Sequence, residues 1–226
     1  MKWISLVGWT FGMVIGLFAV TAQAQYSLPP GSPEEIEDVY NTAIENRTAG
    51  ILKVLDLKDA DKAAKVHEII INQYRTLRAR DDAIDSILKL EDKRANYSDR
   101  APFLKLSQPL HGQFLAKLSA ELSPAQIEIV KDKMTYNKVQ VTYDAYCAII
   151  PGLTDADKTE IHTQLLNARE EAIDGGSAGE KSDIFQKYKD RINDYLNAHG
   201  HDVAKAYKDW NAKQQAAQTN SSPKVQ

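Results

Sequence analysis

LTDADKTEIHTQLLNAREEAIDGG, residues 153–176, decides the fold class. Thr154 stands in the position of a helix N-cap with Asp157 three residues on. Ile161, Leu165, Leu166, Ala168, Ala172 and Ile173 then recur at helical spacing until Gly175-Gly176 ends the run. The same grammar extends in both directions. Downstream, Ile184, Phe185, Tyr188, Ile192, Tyr195 and Leu196 form a stripe that stops at Gly200, followed by a short helix through Trp210. Upstream, Ser123-Pro124-Ala125-Gln126 is a capping box with Pro in the first helical position. Before it, Phe103 to Leu118 reads as one helix with Pro109 forcing a kink or a late start, and Asn96 to Pro102 reads as a break. A helix from Asp59 carries Val66, Ile69, Ile70, Leu77, Ile84, Ile87 and Leu88, and the first helix, with Ser32 as cap and Glu34 and Glu35 in its first turn, carries Ile36, Val39, Tyr40, Ala43, Ile44, Ile51, Leu52 and Leu55.

One stretch departs from this pattern. Val139, Val141 and Tyr143 alternate with Lys138, Gln140 and Thr142, which reads as an ordered loop or a small strand pair. The expected architecture is all-α: a single multi-helix, bundle-like domain with one irregular or extended loop near residues 134–143. Residues 1–24 read as a secretory signal, with Lys2, an apolar run from Trp3 to Val20 and the cleavage pattern Ala22-Gln23-Ala24. Residues 25–33 read as an extended leader, 34–210 as the helical domain, and 211–226, rich in Gln, Ala, Asn and Ser, as a disordered tail. The expected location is periplasmic or secreted, with no stable membrane anchor after cleavage. The single Cys, Cys147, excludes both a lipid-anchor cysteine after the signal and an internal disulfide, and its apolar neighbours predict an inert buried thiol.

Composition narrows the class of function. Lys+Arg 28 against Asp+Glu 31 leaves a formal charge of -3, which lacks the basic bias of a nucleic-acid partner. No phosphate-cradling glycine loop, nucleophile elbow or calcium loop is present, so no cofactor is expected. Ile71 stands where His67-Glu68 would need a second metal-binding histidine, and His199-Gly200-His201 sits at a helix end without a third ligand, so no metal is expected either.

The informative signal is polar residues inside apolar stripes. Arg47, Gln73 and Arg169 each lie among apolar residues one turn away and should face inward, where a guanidinium needs a partner or a ligand; Arg80 and Asp81 are available as partners. An internal ion-pair network and a ligand pocket both satisfy that need. In the pocket reading, Arg169, Lys187, Arg191, Tyr136, Lys138 and Tyr143 converge with Arg47 and Gln73 opposite, the tyrosines offering flat faces for sugar stacking.

The runs 131–146 (KDKMTYNKVQVTYDAY), 168–177 (AREEAIDGGS) and 185–196 (FQKYKDRINDYL), with Asn72-Gln73-Tyr74-Arg75 and Arg47, resemble a family of uncharacterised exported bacterial proteins, a domain of unknown function that carries a sugar-binding description. The resemblance spans about residues 34–210 and implies a setting of polysaccharide use. The expected function is therefore an exported protein that binds or processes polysaccharide fragments, including acidic glycans, with carbohydrate as its partner. Two alternatives stand beside it. A Tyr, Arg, Lys and His set would suit polysaccharide-lyase chemistry. The helix starts Leu122-Ser123-Pro124-Ala125-Gln126 and Leu153-Thr154-Asp155-Ala156-Asp157 resemble the helix openings of periplasmic ATP-independent chaperones and stress proteins.

Overall fold

The computed structural model describes residues 31–88, 97–106 and 108–221. The signal read over 1–24, the leader up to residue 30 and the tail from residue 222 lie outside them. Among the described residues every regular element is a helix: α1 (Pro33–Leu55), α2 (Ala60–Leu88), α3 (Tyr97–Leu106), α4 (Gln108–Glu121), α5 (Pro124–Met134), α6 (Lys138–Ile149), α7 (Asp155–Ala172), α8 (Ala178–Ala198) and α9 (Val203–Ser221). The described residues divide into two units on either side of the Ala43–Ile44 junction. In the first, Ser32 and Glu35 exchange bonds: the Ser32 N–H donates to Glu35 at 2.7 Å and the Glu35 N–H to Ser32 Oγ at 3.2 Å, with Pro33 opening the helix.

In the second unit α7 packs on α6 and α8, and α9 packs on α6 and α8. Their shared core holds Tyr146, Ile161, Leu165, Ala168, Ala172, Ile184, Phe185, Ile192 and Leu196. Each fully buried Ile or Leu there contributes about 1.5–3 kcal/mol by removing apolar surface from water. α2 packs against α4, burying Val66, Ile70, Leu77, Phe114 and Leu118. Both capping boxes form, Ser123 with Gln126 and Thr154 with Asp157. α8 stops as its sequence requires, with Gly200 at φ 90° closing the turn to α9.

Four expectations are corrected. The extended stretch of residues 134–143 shrinks to the turn Thr135-Tyr136-Asn137, and α6 begins at Lys138. Positions 139 and 143 are in phase for a strand and for a helix alike, so alternation could not separate the two. Packing did, by burying Val139, Tyr146 and Ile149 while leaving Val141 54% exposed. The break expected over 96–102 is filled from Tyr97 by α3 with Pro102 inside it, because Arg100 on that helix is tied to Asp81 and Asp85 of α2. Helix α9 runs past residue 210 to Ser221; its Ala, Gln and Lys residues are strong helix formers that need no burial. Cys147 is exposed, since α6 turns positions 146, 149 and 150 to the core instead.

The start of α7 doubles as a junction. Asp157 accepts from the Thr154 hydroxyl at 2.6 Å and backbone N–H at 2.8 Å, and His201 at the entrance to α9 lies 3.1 Å away. The Thr154 bonds, then His201, hold the Asp157 carboxyl at about 2, below the usual carboxylate range. A carboxylate whose folded pKa is depressed stabilises the fold above its unfolded pKa and loses that contribution as pH falls through the folded one. Asp157→Asn is therefore expected to cost about 1 kcal/mol near neutral pH, the typical worth of a cap. In urea titrations from pH 7 to 2, the gap between wild type and variant should close between about pH 4 and pH 2; a constant gap would place the stabilisation elsewhere.

Candidate functional site

Charge is concentrated around the turn between α7 and α8. From α2, Asp81 accepts on one oxygen from Arg80 Nη2 at 2.6 Å and Nε at 2.9 Å, and from Arg100 Nη2 of α3 at 3.0 Å; Arg100 Nη1 also donates to Asp85. The Asp81 carboxylate lies where a Cβ on Gly176 would be, so only glycine admits it. Glu180, in the first turn of α8, converges on the same residue, its Oε2 accepting from the Gly176 N–H at 3.0 Å. Burial, then the charge of Asp81, push the Glu180 carboxyl up from its ordinary range. Beside it Lys181, 3% exposed, donates from Nζ to the carbonyls of Ala172 at 2.8 Å and Ile173 at 3.2 Å, and burial lowers it to about 8. Among the described residues, Glu180 Oε1 and Arg100 Nε are buried without a hydrogen-bond partner.

A second ionic group joins α5 to α7. Arg169, 4% exposed, donates to Asp132 at 2.6 Å, to Glu170 at 3.1 Å and to Glu128; Lys131 bridges Glu128 at 3.1 Å and Glu170 at 2.9 Å. On α4, His111 Nδ1 lies 2.9 Å from Asp174, and that hydrogen bond raises the imidazole above its ordinary value. The partners of Arg169 are thus the acids of α5 and its own neighbour, whereas Asp81 pairs with both Arg80 and Arg100.

The residues singled out from sequence fall into separate places. The Arg47 guanidinium lies 5.9 Å over the ring of Tyr136, a tyrosine at φ 59°. Positive φ on a bulky residue is uncommon; here Tyr136 and Asn137 take it together because α5 must turn into α6 within three residues. Lys138 lies 5.9 Å over Phe185, and burial lowers its ammonium. Lys187 pairs with Glu171 at 2.6 Å, and Lys187 and Arg191 approach the ring of Tyr188 at 5.0 and 4.7 Å. Tyr143 meets His162 edge to face at 5.7 Å. Arg47 and Tyr136 are brought together, as are Lys187 and Arg191; Arg169 belongs to the α5–α7 network. Gln73 lies apart from the other seven, in the seam of α2 and α4.

That seam is concave. A cavity of about 40 Å³ lies between Gln73, Asn72 and Thr76 of α2 and Leu110, Gln113 and Phe114 of α4. Through Ile69, Asn72 and Lys117 it continues into an open cleft of about 290 Å³ reaching Lys65, Glu68 and Glu121. Gln73 is 6% exposed, and its Nε2 has no partner among the described residues. The apolar neighbours of Gln73 in the sequence announced an inward amide, but its cavity needs α4, which no spacing on α2 reveals. Glu180 and Lys181 escaped sequence reading altogether, although Ser177 followed three residues later by Glu180 has the spacing of a helix cap. Among the described residues no three His, Cys, Asp or Glu side chains are grouped to hold a metal ion.

Two tests separate the roles of these groups. Gly176→Ala would drive a methyl into a carboxylate clamped by two arginines, and a loss of about 1–3 kcal/mol is expected in denaturant unfolding. Gly112→Ala, mid-helix in α4 with open space around its Cβ position, should gain up to about 1 kcal/mol. Arg169→Met takes a guanidinium from three acids whose side chains are 37–48% exposed, two of which, Glu128 and Glu170, keep Lys131, so the loss should be about 1–3 kcal/mol, below that of a fully buried pair. Arg191→Gln, at an exposed position, should stay within about 0.5 kcal/mol; equal losses for both would contradict this partition.

Comparison with curated proteins gives no match. A family model matches residues 41–216, most of α1 through the greater part of α9, and so includes the α2–α4 groove and both ionic groups. The chain belongs to the family described as Protein of unknown function (DUF3826).

Proposed function

We propose that this protein is exported and binds carbohydrate in the groove between α2 and α4. The observation that carries the reading is the buried Gln73 amide. An unpartnered buried N–H costs about 1–3 kcal/mol; Nε2 of Gln73 has no partner among the described residues, and Gln73 is one of the residues that line the cavity. The surrounding groups suit a sugar. Asn72 and Gln113 supply amides and Thr76 a hydroxyl, each able to donate and accept, which is what a row of hydroxyl groups requires. On the rim, Lys117 offers an ammonium donor to a uronate carboxylate and Glu68 an acceptor to neutral sugars, while Lys65 and Glu121 pair with each other at 3.7 Å. Export rests on the segment at residues 1–24, and no helix among the described residues is long and apolar enough to cross a membrane.

The test combines ligand response with stability. Against a panel of neutral and uronate oligosaccharides, one class should raise the melting temperature of the wild type by about 5–10 °C at a hundredfold excess over Kd. Gln73→Met removes the unpartnered amide while keeping its volume. It should raise the ligand-free melting temperature by about 2–4 °C, the effect of roughly 1 kcal/mol, and abolish the glycan response. A destabilised Gln73→Met that still responds would overturn the assignment. No response to any glycan, together with protection of unrelated unfolding proteins, would favour a chaperone instead.

A further inference from the structure

We propose that His111 makes the α2–α4 groove sensitive to pH: as an imidazolium it clamps α4 to the turn between α7 and α8 and holds the groove in shape for its ligand. The inference rests on the reading of that groove as a glycan site and adds its regulation. Placement is the first support. Both walls of the groove are fastened to one short turn, Asp174 to Gly176. From α2, the Asp81 carboxylate packs on Gly176. From α4, His111 Nδ1 lies 2.9 Å from Asp174 Oδ2. On α4, Leu110, Gln113, Phe114 and Lys117 line the groove, whereas His111, about 100° further round the helix than Leu110, reaches the turn instead. Groove wall and anchor are thus adjacent residues of one helix.

Charge is the second support. Asp174 keeps Oδ1 buried with no partner among the described residues and turns Oδ2 to His111. On the other side of the ring, Nε2 lies 4.0 Å from Glu170 Oε2 of α7. The imidazole therefore stands between two carboxylates, a setting that favours its cation. Two other charges face this group. Lys131 of α5 opposes the cation, and Lys181 of α8 acts on Asp174 while its Nζ is committed to the carbonyls of Ala172 and Ile173. The hydrogen bond to Asp174 prevails over burial and Lys131, and it raises the imidazole above 6.5.

A neutral ring can still donate from Nδ1 to Asp174, but it gives up the charge-assisted part of that bond and its attraction to Glu170. Because the folded value is the raised one, the clamp contributes in full below about pH 6.5 and weakens as pH rises through the folded value. Above it α4 is held to the turn less firmly, and a ligand has to order the groove wall as it binds. Occupancy of the groove and protonation of His111 therefore favour each other, and the coupling is reciprocal.

The experiment follows hydrogen exchange of α4 in the full chain from about pH 5.5 to about pH 8.5, corrected for the intrinsic exchange rate. The Kd of the glycan class that raises the melting temperature is measured at both ends of that range. Protection of α4 should fall, and Kd should weaken, each by about fivefold or more from acid to alkaline pH, the lower end of typical coupling. His111→Gln and Asp174→Asn each keep a hydrogen-bonding side chain and remove one charge of the pair. Both should lose most of the two pH dependences and resemble the alkaline wild type throughout. Wild-type protection that does not change with pH, or a His111→Gln protein that keeps the wild-type dependence, overturns the inference. Glycan binding with a Kd constant across the range also overturns it and leaves the binding proposal standing. Protection of α4 that follows pH in a protein answering to no glycan keeps the clamp and overturns the glycan reading.

Discussion

A lysine ammonium almost wholly removed from water sits on the last carbonyls of α7, and the arrangement of the second unit depends on it. Lys181 belongs to α8, yet its Nζ donates to Ala172 and Ile173, where α7 ends. Those carbonyls have no partner within their own helix, and a cation there also meets the negative end of the helix dipole. A buried charge is tolerated only when such partners are in place, so the bond fixes the position of α8 relative to α7 at the turn. Burial still leaves its mark: Lys181 is held near 8, below an exposed lysine. Between about pH 8 and about 10.4 the unfolded chain binds this proton more tightly, so the contribution of Lys181 to stability rises with pH across that window.

With its end fixed in this way, α7 serves as the axis for its neighbours. Its N-terminus is bound through Asp157 to His201 before α9, its last turn through Arg169 to the acids of α5, and the turn that follows it through Asp174 to His111 of α4. Between these polar anchors the apolar face of Ile161, Leu165, Ala168 and Ala172 is buried in the core shared with α6, α8 and α9. Ion pairs with half-exposed partners, such as those of Arg169, add modest stability. They specify which helix lies beside which, while the apolar core supplies most of the free energy.

The groove between α2 and α4 follows a different economy. The groove leaves the buried Nε2 of Gln73 without a partner among the described residues, at a position where an apolar side chain would be more stable. In the proposed reading, a glycan bound in the groove offsets that cost. The charged corner at Gly176 shares this character, since Glu180 Oε1 and Arg100 Nε are desolvated without compensation among the described residues.

Local chemistry was legible from sequence. The helix starts at Ser32, Ser123 and Thr154 and the stop before Gly200 depend on hydrogen bonds spanning three or four residues, and each appears where its residues predicted. The inward placement of Gln73 and Arg169 was legible as well, because a side chain surrounded by apolar neighbours one turn away has to share their face. Partners were not legible. Arg169 meets Glu128 and Asp132 in place of Asp81, Gln73 faces α4, and Asp81 rests on Gly176 nearly a hundred residues away. Residues 138–143, whose alternation fits two periods, became helix only because the core took Val139 and Tyr146 together. Periodicity sets which side of a helix a residue occupies. What that side meets is settled by the packing of helices distant in sequence, where the free energies of many contacts are summed and no single stretch of chain contains the answer.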